Sequence, residues 1–103
     1  MTRPLPVNIV SSTVLAIEEA SVWWEANRPK APGAFFEELE RGLQLISQQP
    51  EIGARVRDIE LAGVRRIHLS KVRYFLYYRI VSEPETVEVI ALWHANSGSK
   101  PFG

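Results

Sequence analysis

Residues 65–79 place Arg65, Arg66, Arg73 and Arg79 among Phe75, Tyr77 and Tyr78, and the two histidines of the chain are His68 and His94. Guanidinium groups beside aromatic planes hold phosphates and stack on bases. The same pair of residue types dominates the energetic centres of protein–protein interfaces. The residues alone leave both uses open. Only the histidines titrate near neutrality and offer general acid–base chemistry. His94 follows Trp93 at the end of an apolar run, a place where a histidine also serves as hydrogen-bonded structure. Cysteine is absent, which excludes thiolate nucleophiles, thiolate metal sites and disulfides. No metal and no cofactor is expected.

The cations are concentrated. Residues 55–79 hold Arg55, Arg57, Arg65, Arg66, Lys71, Arg73 and Arg79 against Asp58 and Glu60, and the segments on either side are net acidic. Over the whole chain 12 basic side chains balance 12 acidic ones. A zero sum argues against bulk, non-specific binding of nucleic acid. The central block permits one basic surface facing an anionic partner; solvated arginines with glutamate neighbours are the plainer alternative.

A chain of 103 residues, 46% hydrophobic and 23% charged, has the size and composition of one domain spanning residues 1–103. The longest uncharged stretch, Pro4 to Ile17, includes proline, asparagine, serine and threonine. It is too short and too polar to span a membrane. The start lacks the basic residues and apolar run of a secretion signal. The expected compartment is the cytoplasm, with no membrane partner.

The elements that carry the candidate residues follow from periodicity. Leu5, Val7 and Ile9 alternate, which predicts a short strand, with Pro6 placing it at an edge or a strand start. Ser11, Ser12 and Thr13 offer oxygens for a helix N-cap. Thr13, Ala16, Ile17, Ala20, Trp23, Trp24 and Asn27 then form one helical stripe, with both tryptophans expected in the core. Residues 28–33 contain two prolines and a glycine and end that helix. A second helix is expected from near Pro32 to about Gln49, with Phe35, Phe36, Leu39, Leu43 and Ile46 facing inward. Pro50 and Gly53 stop it. The short connection makes the pair an antiparallel hairpin.

Beyond Gly53 the period becomes two. Val64–Leu69, Val72–Val81 and Thr86–His94 read as strands joined by short links, and so as an antiparallel meander. The tail from Asn96 to Gly103 reads as irregular. The fold class is α+β: an N-terminal strand, an antiparallel helical hairpin, then a three-stranded antiparallel meander, in the order β-α-α-β-β-β. In the middle strand Val72, Tyr74, Leu76, Tyr78 and Ile80 alternate with Arg73, Phe75, Tyr77, Arg79 and Val81. In the last, strict alternation puts Val87, Val89, Ala91 and Trp93 opposite Glu88, Ile90, Leu92 and His94. One sheet face is therefore apolar, and the other mixes arginines with aromatics. Arg65 either contacts a ligand or pairs with Glu88.

Three segments carry a family resemblance: Gly63-Val64-Arg65-Arg66-Ile67, Arg73 to Ile80, and Val87 to His94. With the helical hairpin and Pro50-Glu51-Ile52-Gly53 before them, they make the chain resemble the RelE/ParE superfamily of toxins from bacterial type II toxin–antitoxin modules, from about residue 6 to residue 101. The resemblance implies an antitoxin that wraps the toxin with its C-terminal segment and binds DNA with its N-terminal part. It implies one of two cellular targets: the ribosome, where the RelE branch cleaves messenger RNA, or DNA gyrase, which the ParE branch blocks without being a nuclease. By position Arg65, Arg73 and Arg79 match the basic strand residues of the RelE branch, and His94 ends the last strand; these four are the catalytic candidates. Arg66, Phe75, Tyr77 and Lys100 are the candidates for target binding. Leu15, Val22 and Leu45 lie off the helical stripes and are the candidates for antitoxin binding, in a helix-in-groove mode. RNA cleavage through the 2′-OH needs a base, an acid and cations around the phosphate. Family members often carry an arginine two residues after this histidine, where this chain has Asn96. No tyrosine follows His94. The ParE-like reading is therefore preferred, with RNA cleavage and a non-toxic interaction domain as alternatives.

Overall fold

The computed structural model describes residues 3–57 and 59–96. The elements, in chain order, are β1 (Val7–Ile9), α1 (Ser11–Asn27), α2 (Ala34–Gln48), β2 (Ala54–Arg55), β3 (Arg65–Leu69), β4 (Tyr74–Val81) and β5 (Thr86–His94). The strands form one mixed sheet in the order β1-β5-β4-β3-β2. The expected meander is its centre: β3, β4 and β5 pair antiparallel in sequence. β1 runs parallel to β5 at one edge. Pro6, which has no N–H to give a ladder, precedes β1, and its carbonyl accepts the Val87 N–H at 2.9 Å.

Two strand boundaries depart from the periodic reading. β4 begins at Tyr74 rather than Val72, because the N–H groups of Val72 and Arg73 both turn back to the Leu69 carbonyl, at 3.1 and 2.8 Å. β2 was not foreseen. It pairs antiparallel with β3 at the other edge, Ala54 opposite Arg66 and Arg55 opposite Arg65. Its two residues are too few for alternation to register.

The helices cover one face of the sheet. Ile17 and Ala20 from α1 and Phe35, Leu39 and Ile46 from α2 are buried with Leu69, Leu76, Tyr78, Val87, Val89 and Leu92. Gly42 lets α2 approach closely, since a Cβ there would lie 2.7 Å from Leu69 Cδ2. Three details differ from expectation. No side chain caps α1: extended Val10 precedes it, the Val10 carbonyl accepts the N–H groups of Thr13 and Val14, and Thr13 itself turns into the core. Trp23 is 48% exposed, whereas Trp24, partly buried, packs against the core, so the buried stripe takes only one of the two tryptophans. Phe36 faces outward beside buried Phe35.

A bulge decides the faces of β5. Tyr77 pairs with Ala91 but Tyr78 pairs with Val89, which leaves Ile90 as the extra residue. Val87 and Val89 face the helices before the bulge; Leu92 and His94 share that side after it, opposite Leu76 and Tyr74. Strict alternation fails from Ile90 onward, and Trp93 moves to the open face while His94 leaves it.

Candidate functional site

The sheet face turned away from the helices carries the mixed row. Directly opposed pairs lie on one face, and here they are Arg66 with Tyr77, His68 with Phe75, Phe75 with Trp93, and Arg79 with Glu88. Arg66 places its guanidinium carbon 4.1 Å from the centre of the Phe75 ring, and its Nη1 lies 3.4 Å from the Tyr77 hydroxyl. The His68 ring is 4.9 Å from that of Phe75. Arg79 Nε donates to Glu88 Oε1 at 2.8 Å. These cations are held in place, and their partners are aromatic faces and one carboxylate. Tyr77 is buried beneath this layer, so its ring supports the surface from below.

The four residues singled out for catalysis do not meet on this face. Arg79 is there, paired with Glu88 rather than leaving Glu88 to Arg65. Arg65 opposes Tyr78 on the helix side. Its Nη1 donates to the carbonyls of Glu51 and Gly53 at 3.0 and 2.8 Å, so the Glu88 pair does not describe its position. Arg73 lies in the β3–β4 turn with a left-handed φ of 62°. His94 opposes Tyr74 on the helix side, ring centres 5.2 Å apart and nearly perpendicular, and its Nδ1 accepts the Asn96 N–H at 3.2 Å. Burial raises the Tyr74 phenol above its ordinary value.

The remaining candidates separate similarly. Arg66 and Phe75 form the centre of the open face. Lys100 lies outside the described residues, as does the tail from residue 97. Leu15 and Val22 are 61% and 67% exposed on α1, close to Val14 and Trp23, which are also exposed. Leu45 is half-buried on α2. Sequence reasoning did not place Trp93 on the open face, because the bulge that puts it there leaves no mark in the alternation. His68 was legible in the alternation of β3 but was not singled out. No helix among the described residues is long and apolar enough to cross a membrane.

The model of the ParE toxin of type II toxin–antitoxin system, parDE, matches residues 16–97. No curated protein matches the sequence. Solved structures that share the fold include three toxin structures. One is the chromosomal ParDE TA system from P. aeruginosa, with a TM-score of 0.72 and 11% identity over 92% of this chain and 100% of that one. Another is a mutant of the E. coli toxin RelE in the free state, with a TM-score of 0.62 and 18% identity over 93% and 88%. The third is the archaeal RelE-RelB complex from Pyrococcus horikoshii OT3, with a TM-score of 0.59 and 14% identity over 93% and 100%. The β-α-α-β-β-β-β order places the helical hairpin before the meander, and the family model spans most of that course from α1 through β5. The chain belongs to the ParE toxin family of type II toxin–antitoxin systems.

Proposed function

We propose that this toxin inhibits growth by binding DNA gyrase through the open face of its sheet, and that a cognate antitoxin neutralises it. The observation that carries this reading is the division of the candidate groups by the sheet. His94 and Arg73 lie at the helix-side end, Arg66 and Arg79 on the open face, and Arg65 is committed to the carbonyls of residues 51 and 53. RNA cleavage requires a base, an acid and cations around one phosphate, and of the three candidate arginines only Arg73 lies beside His94, while Arg65 and Arg79 are engaged elsewhere. The open face instead offers fixed arginines beside aromatic rings, the composition of an interface centre. Cations already ordered by Phe75 and Glu88 lose little freedom on docking.

The antitoxin is supported by the family and by the P. aeruginosa and P. horikoshii structures, of a ParDE system and a RelE-RelB complex. The exposed Leu15 and Val22 of α1, with Leu45 of α2 at the margin, are the surface on which its C-terminal segment docks; its N-terminal part binds DNA. Supercoiling by purified gyrase tests the target. A stoichiometric excess of toxin abolishes supercoiling and added antitoxin restores it; full supercoiling at excess toxin rejects the reading. Cleaved messenger RNA in induced cells with gyrase unaffected supports the RelE-type alternative. Normal growth on expression without antitoxin supports a non-toxic interaction domain.

A further inference from the structure

On the helix side of the sheet, at the C-terminal end of α1, a cavity of about 490 Å³ lies between Trp23, Trp24 and Arg28 of the helix end and Lys71, Arg73 and His94 of the sheet end. That volume falls within the range of small-molecule sites, roughly 300–1,000 Å³. It is separated by the sheet from Arg66, Phe75 and Arg79, and the gyrase reading makes no use of it. Three features give it a chemistry. Arg28, Lys71 and Arg73 all line it, no carboxylate does, and among the described residues none of the three has an ion-pair partner. The carbonyl end of α1 opposes an anion with about half an elementary charge, against three full positive charges. Trp23, 48% exposed, offers an indole at its wall.

The cations are placed by structure and not merely neighbours in sequence. The Trp24 indole N–H donates to the Ala31 carbonyl at 2.8 Å, and the Ala31 N–H donates to the Arg28 carbonyl at 3.0 Å, which ties residues 28–31 back to the end of α1 and fixes the backbone at Arg28. The Lys71 N–H donates to Oε2 of the buried Glu38 at 3.1 Å, fixing the β3–β4 turn to α2. Arg73 occupies a left-handed conformation that glycine adopts without strain. Its carbonyl accepts the Ala95 N–H at 2.8 Å, so the turn is tied to the end of β5 beside His94. A strained arginine where glycine would be easier is the kind of feature that function retains. His94 accepts at Nδ1 from Asn96, which leaves Nε2–H as a donor in the neutral ring.

We propose that this cavity is a binding site for a phosphate joined to a nucleobase, the phosphate held by Arg28, Lys71 and Arg73 and the base stacked on Trp23. A free nucleoside monophosphate and the end of a single strand both present that unit. Stacking on an exposed aromatic tolerates any base, and guanidinium and ammonium groups together suit a phosphate.

Calorimetric titration of the full chain with AMP, an oligodeoxyadenylate octamer and inorganic phosphate tests the site, with no gyrase present, so its failure is separate from that of the target reading. AMP or the octamer binds at one site, about ten-fold or more tighter than phosphate; the tighter of the two identifies the source. Arg73→Gly removes a cation and relieves the backbone, so it folds at least as well by thermal melting and weakens binding about ten-fold. Trp23→Ala brings the nucleotide affinity down toward that of phosphate. Arg57→Ala, remote from the cavity, leaves binding unchanged. Absence of binding at millimolar ligand, parent affinity in Arg73→Gly, or phosphate binding as tightly as AMP overturns the proposal.

Discussion

Arg65 and Tyr78 oppose each other across β3 and β4 and hold the same turn. The Arg65 guanidinium donates to the carbonyls of Glu51 and Gly53. The Tyr78 hydroxyl donates to the Pro50 carbonyl at 2.7 Å and accepts the Gly53 N–H at 2.9 Å. Between them they fasten the end of α2 to the start of β2. Tyr78→Phe strands a buried N–H and a carbonyl, and a buried group left unsatisfied costs about 1–3 kcal/mol. Urea denaturation measures it. An unchanged midpoint would show that the turn is held by Arg65 alone.

The same phenol gives the fold an alkaline limit. Burial raises the Tyr78 pKa above the usual 10.0, while the Gly53 N–H and the Arg65 charge pull it partly back. The folded state therefore keeps this proton where the unfolded chain releases it. Its contribution to stability is complete below the unfolded pKa and disappears as pH climbs through the raised folded value. Tyr74 behaves in the same sense. The melting temperature should fall above about pH 10, and less steeply in Tyr78→Phe. Equal slopes in the two proteins would exclude Tyr78 as a source of the effect.

Gly53 completes the device, because a side chain there has nowhere to go. A Cβ would lie 2.5 Å from Tyr78 Oη, 2.8 Å from Tyr78 Cε1 and 2.9 Å from the Arg66 carbonyl oxygen. Gly53→Ala should cost about 1–3 kcal/mol by overpacking. Combined with Tyr78→Phe, which removes the nearest of those atoms, it should cost less than the two single changes together. Simple additivity in a double-mutant cycle would mean that the turn moves away from the sheet instead.

How much of this could be read in advance depended on the length over which a pattern ran. Leu39 and Ile46 recur at helical spacing over two turns, and Tyr74, Leu76 and Tyr78 alternate, so the helix and the central strand were legible, as was the row of Phe75, Tyr77 and Arg79 behind them. What escaped was local. Ile90 adds one residue to β5 and exchanges the faces of Leu92, Trp93 and His94, because a one-residue slip turns every later side chain over. Arg73 belongs to a turn made by two N–H groups converging on one carbonyl, and no residue type announces that. Arg65 could not be assigned, since its partners are main-chain carbonyls.

The surface of α1 predicts a change in affinity without a change in stability. Leu15 and Val22 are solvent-exposed and absent from the core. Replacing both by aspartate should change stability by no more than about 1 kcal/mol, a few degrees in melting temperature, as surface changes usually lie within about 0.5 kcal/mol each. If this face docks an amphipathic antitoxin segment, affinity for the antitoxin falls about ten-fold or more. Leu45→Asp is the contrasting case. Leu45 is half-buried on α2, so its replacement should lower stability as well. Parent affinity in the double aspartate variant would move the antitoxin to another surface.

His94 and Arg66 lie on opposite faces of the sheet, which allows a clean separation of binding from cleavage. His94 stacks edge-on with Tyr74 and takes a main-chain hydrogen bond from Asn96, whereas Arg66 lies over Phe75 on the open face. If growth inhibition works by docking of the open face, Arg66→Ala removes a cation and its aromatic contact from the centre of that interface. Inhibition of gyrase should then weaken about ten-fold or more, since truncating an arginine at such a position costs at least about 2 kcal/mol. His94→Ala should leave gyrase inhibition and toxicity intact. Induced expression of each variant, followed by growth curves and an assay of supercoiling, reads both. Loss of toxicity in His94→Ala together with loss of messenger RNA cleavage, and full toxicity in Arg66→Ala, would transfer the activity from the open face to the helix-side end of the sheet.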